Sequence, residues 1–177
     1  MNNGYLTLHF SETVNISTVN FGGVTLQSDS NVASNSTNLY TLTKGAVLTT
    51  SNSPDVVLAL NNIDLNALKT RAIATSNLTT WITLTGAIMD TTALVVLDII
   101  NNINALPVAL YTPDVNLPML LSFTIDLNTE ILVLSFNETV NFNTLDTTQL
   151  TLVSGRNTTD STYTLTNTSF TTNQLNL

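Results

Sequence analysis

The chain has 177 residues, of which 43% are hydrophobic and only 9% charged, with a net charge of −8. That length allows one or two domains with a true core. Only Lys44, Lys69, Arg71 and Arg156 could neutralise phosphates, which argues against nucleic acid as a partner, and no run of 18 apolar residues exists to span a bilayer.

Polarity comes from Thr, Ser and Asn rather than from charge. Such a surface lacks the repulsion that normally keeps neighbours apart, which favours self-association, a sugar coat, or both. With no cysteine there are no disulfides and no thiolate metal sites.

In chain order, the first predicted element is a strand. Leu6, Leu8 and Phe10 alternate with Tyr5, Thr7 and His9, the pattern of a half-buried strand. Short Thr/Val/Leu-rich strands are expected at residues 24–26, 39–43, 56–60, 81–85, 94–97 and 108–111, separated by Asn/Gly/Ser/Asp turns. Residues 64–71 break the rhythm: Leu65 and Leu68 stand at helical spacing, Asp64 suits an N-cap, and Lys69 and Arg71 lie near the end. The expected core is Leu6, Leu8, Phe10, Leu26, Leu58, Leu60, Ile82 and Leu84. Residues 111–118, with two prolines, read as a linker.

Past the linker the chain repeats itself. Residues 5–27 read YLTLHFSETVNISTVNFGGVTLQ and residues 131–153 read ILVLSFNETVNFNTLDTTQLTLV, with ten of 23 pairs identical and no gap. After a three-residue deletion, Tyr-Thr-Leu-Thr at 40–43 recurs at 163–166. An offset of 126 residues is the size of a domain, not of a solenoid rung. The second copy is preceded by a strand-like segment, residues 119–126, with no counterpart before the first. It also ends before the counterparts of residues 60–111. The chain therefore reads as a window on a longer tandem array, with Met1 inside a repeat.

The expectation is all-β: tandem Ig-like or jelly-roll-like antiparallel sandwiches with one short helix, the first over residues 1–112 and an incomplete second over residues 113–177. The FSETV word, the T-x3-GGVTL stretch and the closing WITLTGAIMD resemble the bacterial-type Ig-like repeats of surface-layer and adhesin proteins. Related arrays form giant extracellular fibre proteins of aquatic microbes. The resemblance implies an extracellular or cell-surface structural role and no catalysis.

Candidate sites are sparse. His9 lies on the outward face of a strand and becomes Ser135 in the second copy. A general base needs a positioned partner, and no GxSxG elbow, HExxH pair or phosphate loop occurs. Gly22-Gly23 becomes Thr148-Gln149, which makes it a turn. Glu12 and Glu138 are the repeated acids, read as acceptors of turn N–H groups rather than a hydrolytic carboxylate pair. Asp114, Asp126 and Asp146 near the junction are weak calcium candidates, because an oxygen cage needs six or more ligands. No metal or cofactor is expected. Trp81 reads as a plug at the core edge, not a sugar platform. Six sequons, Asn15, Asn35, Asn77, Asn137, Asn157 and Asn167, are candidates for N-glycans, with Asn35 and Asn157 first because they fall in equivalent turns. With 24 Asn in the chain, roughly six sequons would arise by chance.

The expected function is a subunit of an extracellular filament or array that polymerises with itself by sandwich packing and strand complementation. The alternative is an adhesin or a carbohydrate- or protein-binding module. Incomplete strands should expose Leu132, Leu134, Phe136 and Leu152, with Ile131 and Val133 lining a second contact on the outer face.

Overall fold

A computed structural model describes residues 4–155 and 161–167. Asn157 and Arg156 lie outside the described residues. The protein is mainly β, 36% strand and 15% helical, with one α-helix and antiparallel sheets among the described residues. It divides into two compact units, one up to Thr139 and one from Val140.

The first unit contains β1 (Tyr5–Asn15), β2 (Val24–Gln27), β3 (Leu39–Thr41), β4 (Gly45–Val47), β5 (Ser53–Leu60), α1 (Asn62–Thr70), β6 (Trp81–Leu84), β7 (Met89–Asp90), β8 (Leu106–Pro107), β9 (Leu120–Asp126) and β10 (Ile131–Phe136). Two four-stranded sheets form, in the orders β4-β5-β1-β7 and β3-β2-β6-β8. Their inward residues share a core. Val24, Leu26, Leu42, Leu60, Leu68, Ile73 and Leu84 are buried together, and Leu6, Phe10, Tyr40 and Ile82 pack against them. Val14, Val56, Leu58 and Ile88 form a second buried cluster, lined by Leu8. Of the eight expected core residues, Leu26, Leu58, Leu60 and Leu84 are buried. Leu6, Leu8, Phe10 and Ile82 are half-buried against the same clusters.

β1 owes its length to an interruption. Its ladder with β5 runs from Tyr5 opposite Ala59 to His9 opposite Asp55, then slips before Val14 meets Ser53. Residues 10–13, the Phe-Ser-Glu-Thr of the repeated word, make the bulge that bends the strand and lets Val14 and Asn15 pair with β7.

Three expectations need correction. The helix begins two residues before Asp64, and its N-cap is Asn61, whose side chain accepts the Asp64 N–H at 2.8 Å. Residues 94–97 form no strand beyond a single bridge, Met89 to Val95. The Asp90 carboxylate accepts the Thr92 and Leu94 N–H groups and coils the chain there, leaving Leu94 and Leu97 exposed. Residues 108–111 also form no strand. Leu106 and Pro107 pair with β6 instead, and the Val108 N–H closes that ladder on the Thr80 carbonyl at 2.9 Å.

The second unit contains β11 (Thr151–Val153) and β12 (Thr162–Thr164), paired antiparallel.

Candidate functional site

The β9–β10 hairpin carries exposed apolar side chains along all of β9. Its register sets Leu132 opposite Ile125 and Leu134 opposite Phe123, with Phe136 opposite Leu120 after a slip. Side chains directly opposite share a face, so one face of this ribbon is built from Phe123, Ile125, Leu132 and Leu134. Phe123 is 55% exposed and Ile125 46%. Leu132, Leu134 and Phe136 are half-buried. The other face carries Ile131 and Val133 beside Asp126, Thr124 and Ser122. Ile131 is exposed and Val133 half-buried. The counterparts of Leu132, Leu134 and Phe136 in β1 are Leu6, Leu8 and Phe10; Leu6 and Phe10 pack against the core shared with the second sheet, and Leu8 against the cluster of Val14, Val56, Leu58 and Ile88. In the second unit, Leu152 is half-buried opposite Tyr163.

The repeated sequence word also repeats its local bonding. Asn15 accepts the Ser17 N–H and Asn141 accepts the Asn143 N–H, both at 3.1 Å, and each caps a 3-10 turn. Thr18 and Thr144 donate their hydroxyls to the carbonyls of Asn15 and Asn141, both at 2.7 Å. Asn20 and Asp146 cap the next turn by accepting the Gly22 and Thr148 N–H groups. The Thr25 and Thr41 hydroxyls meet at 2.7 Å, and those of Thr151 and Thr164 at 2.9 Å. The turn acceptors are therefore Asn15 and Asn141, not the repeated glutamates. Glu12 is exposed in the bulge. Glu138 instead takes the ammonium of Lys69, which also pairs with Asp114 at 3.0 Å. Burial opposes the charge on Lys69, but the bonds from the two carboxylates prevail and raise its pKa. The Lys69 bond holds Asp114 below the usual carboxylate range.

Asp64 is the residue that sequence reasoning misjudged. It is fully buried, and its carboxylate accepts the Tyr40 hydroxyl at 2.9 Å, the Thr43 hydroxyl at 2.7 Å and the Thr43 N–H at 3.0 Å. The first and last residues of the repeated Tyr-Thr-Leu-Thr word thus clasp one helix-borne acid. Burial first, then the Asp64 bond, raises the Tyr40 pKa. The available signal was that Tyr and Thr of this word recur together.

The other candidates are placed separately. His9 is exposed and bonds Asp55 across the β1–β5 ladder at 2.7 Å. Trp81 is half-buried and donates to the Leu78 carbonyl at 3.2 Å. Gly22 and Gly23 lie in a 3-10 turn, where a Cβ at Gly23 would stand 2.6 Å from the Thr85 carbonyl oxygen, so that position is held small by close backbone approach. Asp126 accepts the Asn128 N–H at the hairpin turn, and Asp146 serves its own 3-10 turn. No group of three or more His, Cys, Asp or Glu suited to a metal ion occurs among the described residues. Asn35, Asn77, Asn137 and Asn167 are exposed and Asn15 is half-buried. No helix among the described residues is long and apolar enough to cross a membrane.

Comparison with known proteins gives no match to a family model, a curated protein or a solved structure.

Proposed function

We propose that this chain is a structural subunit of an extracellular filament or surface array, built from tandem Ig-like β-sandwich units of about 126 residues and assembled by contacts between copies. The observation that carries this reading is the apolar hairpin face. Phe123 and Ile125, 55% and 46% exposed, share one face with the half-buried Leu132 and Leu134, so solvent reaches an apolar strip along the hairpin. Leaving such a strip wet costs on the order of 25 cal/mol per Å² of apolar surface. Exposed strips of this kind mark interaction surfaces. Charged side chains are few, so the net charge of −8 is spread thinly and salt screens it readily.

The Ig-like reading rests on the sequence words quoted above and on the local bonding that recurs with them. An extracellular location follows from that same reading.

The test is association of the 177-residue chain, by sedimentation velocity and negative-stain imaging over a concentration series. Ordered polymers are expected, and Phe136→Asp combined with Val133→Lys should abolish them while leaving the first-unit core folded. A cooperatively folded monomer at high concentration would refute the proposal.

A further inference from the structure

The two counterpart strands β1 and β10 are paired on opposite edges. In an antiparallel ladder, each residue directs its N–H and C=O to the same neighbour, and alternate residues serve alternate edges. The Leu60 N–H bonds the Gly4 carbonyl at 2.8 Å, so Gly4, Leu6 and Leu8 serve β5. Tyr5, Thr7 and His9 therefore serve the other edge. The Asn137 N–H bonds the Met119 carbonyl at 3.0 Å, so Ile131, Val133 and Ser135 serve β9. These three are the counterparts of Tyr5, Thr7 and His9. β9 thus covers on β10 the edge that stands open on β1.

On β1, the described residues supply only β7 on that side, and it pairs no further than Val14 and Asn15. Burial agrees. Val56 and Leu58 on the β5 side are 0% exposed, whereas Leu6 and Leu8 beside the open edge are half-buried, and Tyr5 is 53% exposed.

We propose that the edge formed by residues 5–9 of β1 is an acceptor for one extended strand of the β9 pattern, donated by another unit of the same kind. The proposal rests on the filament reading and specifies its contact. The register follows from β9 on β10: the donor's counterparts of Asp126, Thr124 and Ser122 lie opposite Tyr5, Thr7 and His9. Its counterparts of Ile125 and Phe123 lie opposite Leu6 and Leu8. Apolar side chains then extend the core and polar ones extend the outer face, as a period of two requires. The free edge of a β9 already paired to its own β10 does not suit. It would bring Phe123 and Ile125 to the outer face, opposite Tyr5, Thr7 and His9. The donor β9 must therefore leave its own β10, and the contact is strand exchange rather than edge-to-edge abutment.

The probe is a synthetic peptide of residues 118–128 with two added lysines for solubility, titrated into the full chain. A scrambled peptide of the same composition is the control. The native peptide should bind one-to-one. On binding, the Tyr5, Thr7 and His9 amides should gain hydrogen-exchange protection, while Leu6 and Leu8, already bonded to β5, should change little. Backbone N-methylation at Thr124 of the peptide removes a donor aimed at β1 and should weaken binding at least roughly tenfold. N-methylation at Ile125, whose N–H points away, should be tolerated. Thr7→Pro in the chain removes one N–H from the open edge without touching the β5 ladder and should also block binding. No binding, equal effects of the two methylations, or protection at Leu6 and Leu8 instead would overturn the inference. Polymers that form while the chain ignores the peptide would sink this inference and leave the filament reading standing. Peptide binding with no polymers would do the reverse.

Discussion

Asp64 concentrates more bonding than any other acid in the first unit. Its two oxygens accept two hydroxyls and backbone N–H groups from residues 43 and 44. Asp64→Asn turns an amide NH2 toward the Thr43 and Lys44 N–H groups, a donor facing donors. We expect a loss of about 2 kcal/mol in chemical denaturation, against about 1 kcal/mol for removing the helix cap with Asn61→Ala. Equal losses would show that Asp64 acts only as part of the helix start. The aspartates also set the response to acid. Asp90, held low first by the Thr92 hydroxyl, and Asp114, Asp126 and Asp146 all have depressed pKa values. A depressed carboxylate contributes stability above its unfolded pKa and loses it as pH falls through the folded one. Lys69 is raised, so its contribution is present below the ordinary lysine value and lost as pH rises through the folded one. The melting temperature should therefore hold level through neutrality, fall below about pH 4 and fall again above about pH 10. Asp90→Asn should flatten the acid limb and leave the alkaline limb unchanged.

At the scale of elements, strand existence was legible because alternation is local: Leu6, Leu8 and Phe10 name an inward face without knowledge of the partner. Partner order was not legible. Nothing in residues 119–126 or 131–136 says that β9 takes the edge opposite to the one β5 takes on β1, since ladder pairing is non-local. The apolar run at 94–97 misled because a short apolar run has no periodicity of its own to fix its conformation, and the Asp90 side chain turns the chain there. Asp64 misled for a related reason: an acid at a helix start reads as a cap until the Tyr40 and Thr43 hydroxyls are placed beside it. The same view predicts how the hairpin behaves. Its residues make few buried contacts, so in the dilute chain the amides of β9 and β10 should exchange much faster than those of β5 and of Leu6 and Leu8 in β1. On assembly those of β9 should slow toward the β5 values. Uniform protection in the dilute chain would mean that the hairpin is already covered.

For the whole molecule, solubility and assembly make opposing demands on a surface with so few charges, and glycans are one way to meet both. Bulk must then be confined to places that no neighbour needs. Asn35 is exposed in the turn before β3, and Asn77 and Asn167 are also exposed. Asn137 is different: its side-chain oxygen accepts the Met119 N–H at 2.6 Å, at the open end of the β9–β10 ribbon, where a glycan would crowd the apolar face. Asn15 is half-buried and its side chain is committed to Ser17. Material from a eukaryotic host should therefore carry sugar at Asn35 and at exposed sites remote from the hairpin, and none at Asn15 or Asn137. Intact mass before and after glycosidase treatment, followed by peptide mapping, reads this directly. An unchanged mass removes the claim of a sugar coat. Sugar at Asn137 in assembled material would exclude the hairpin face from the contact.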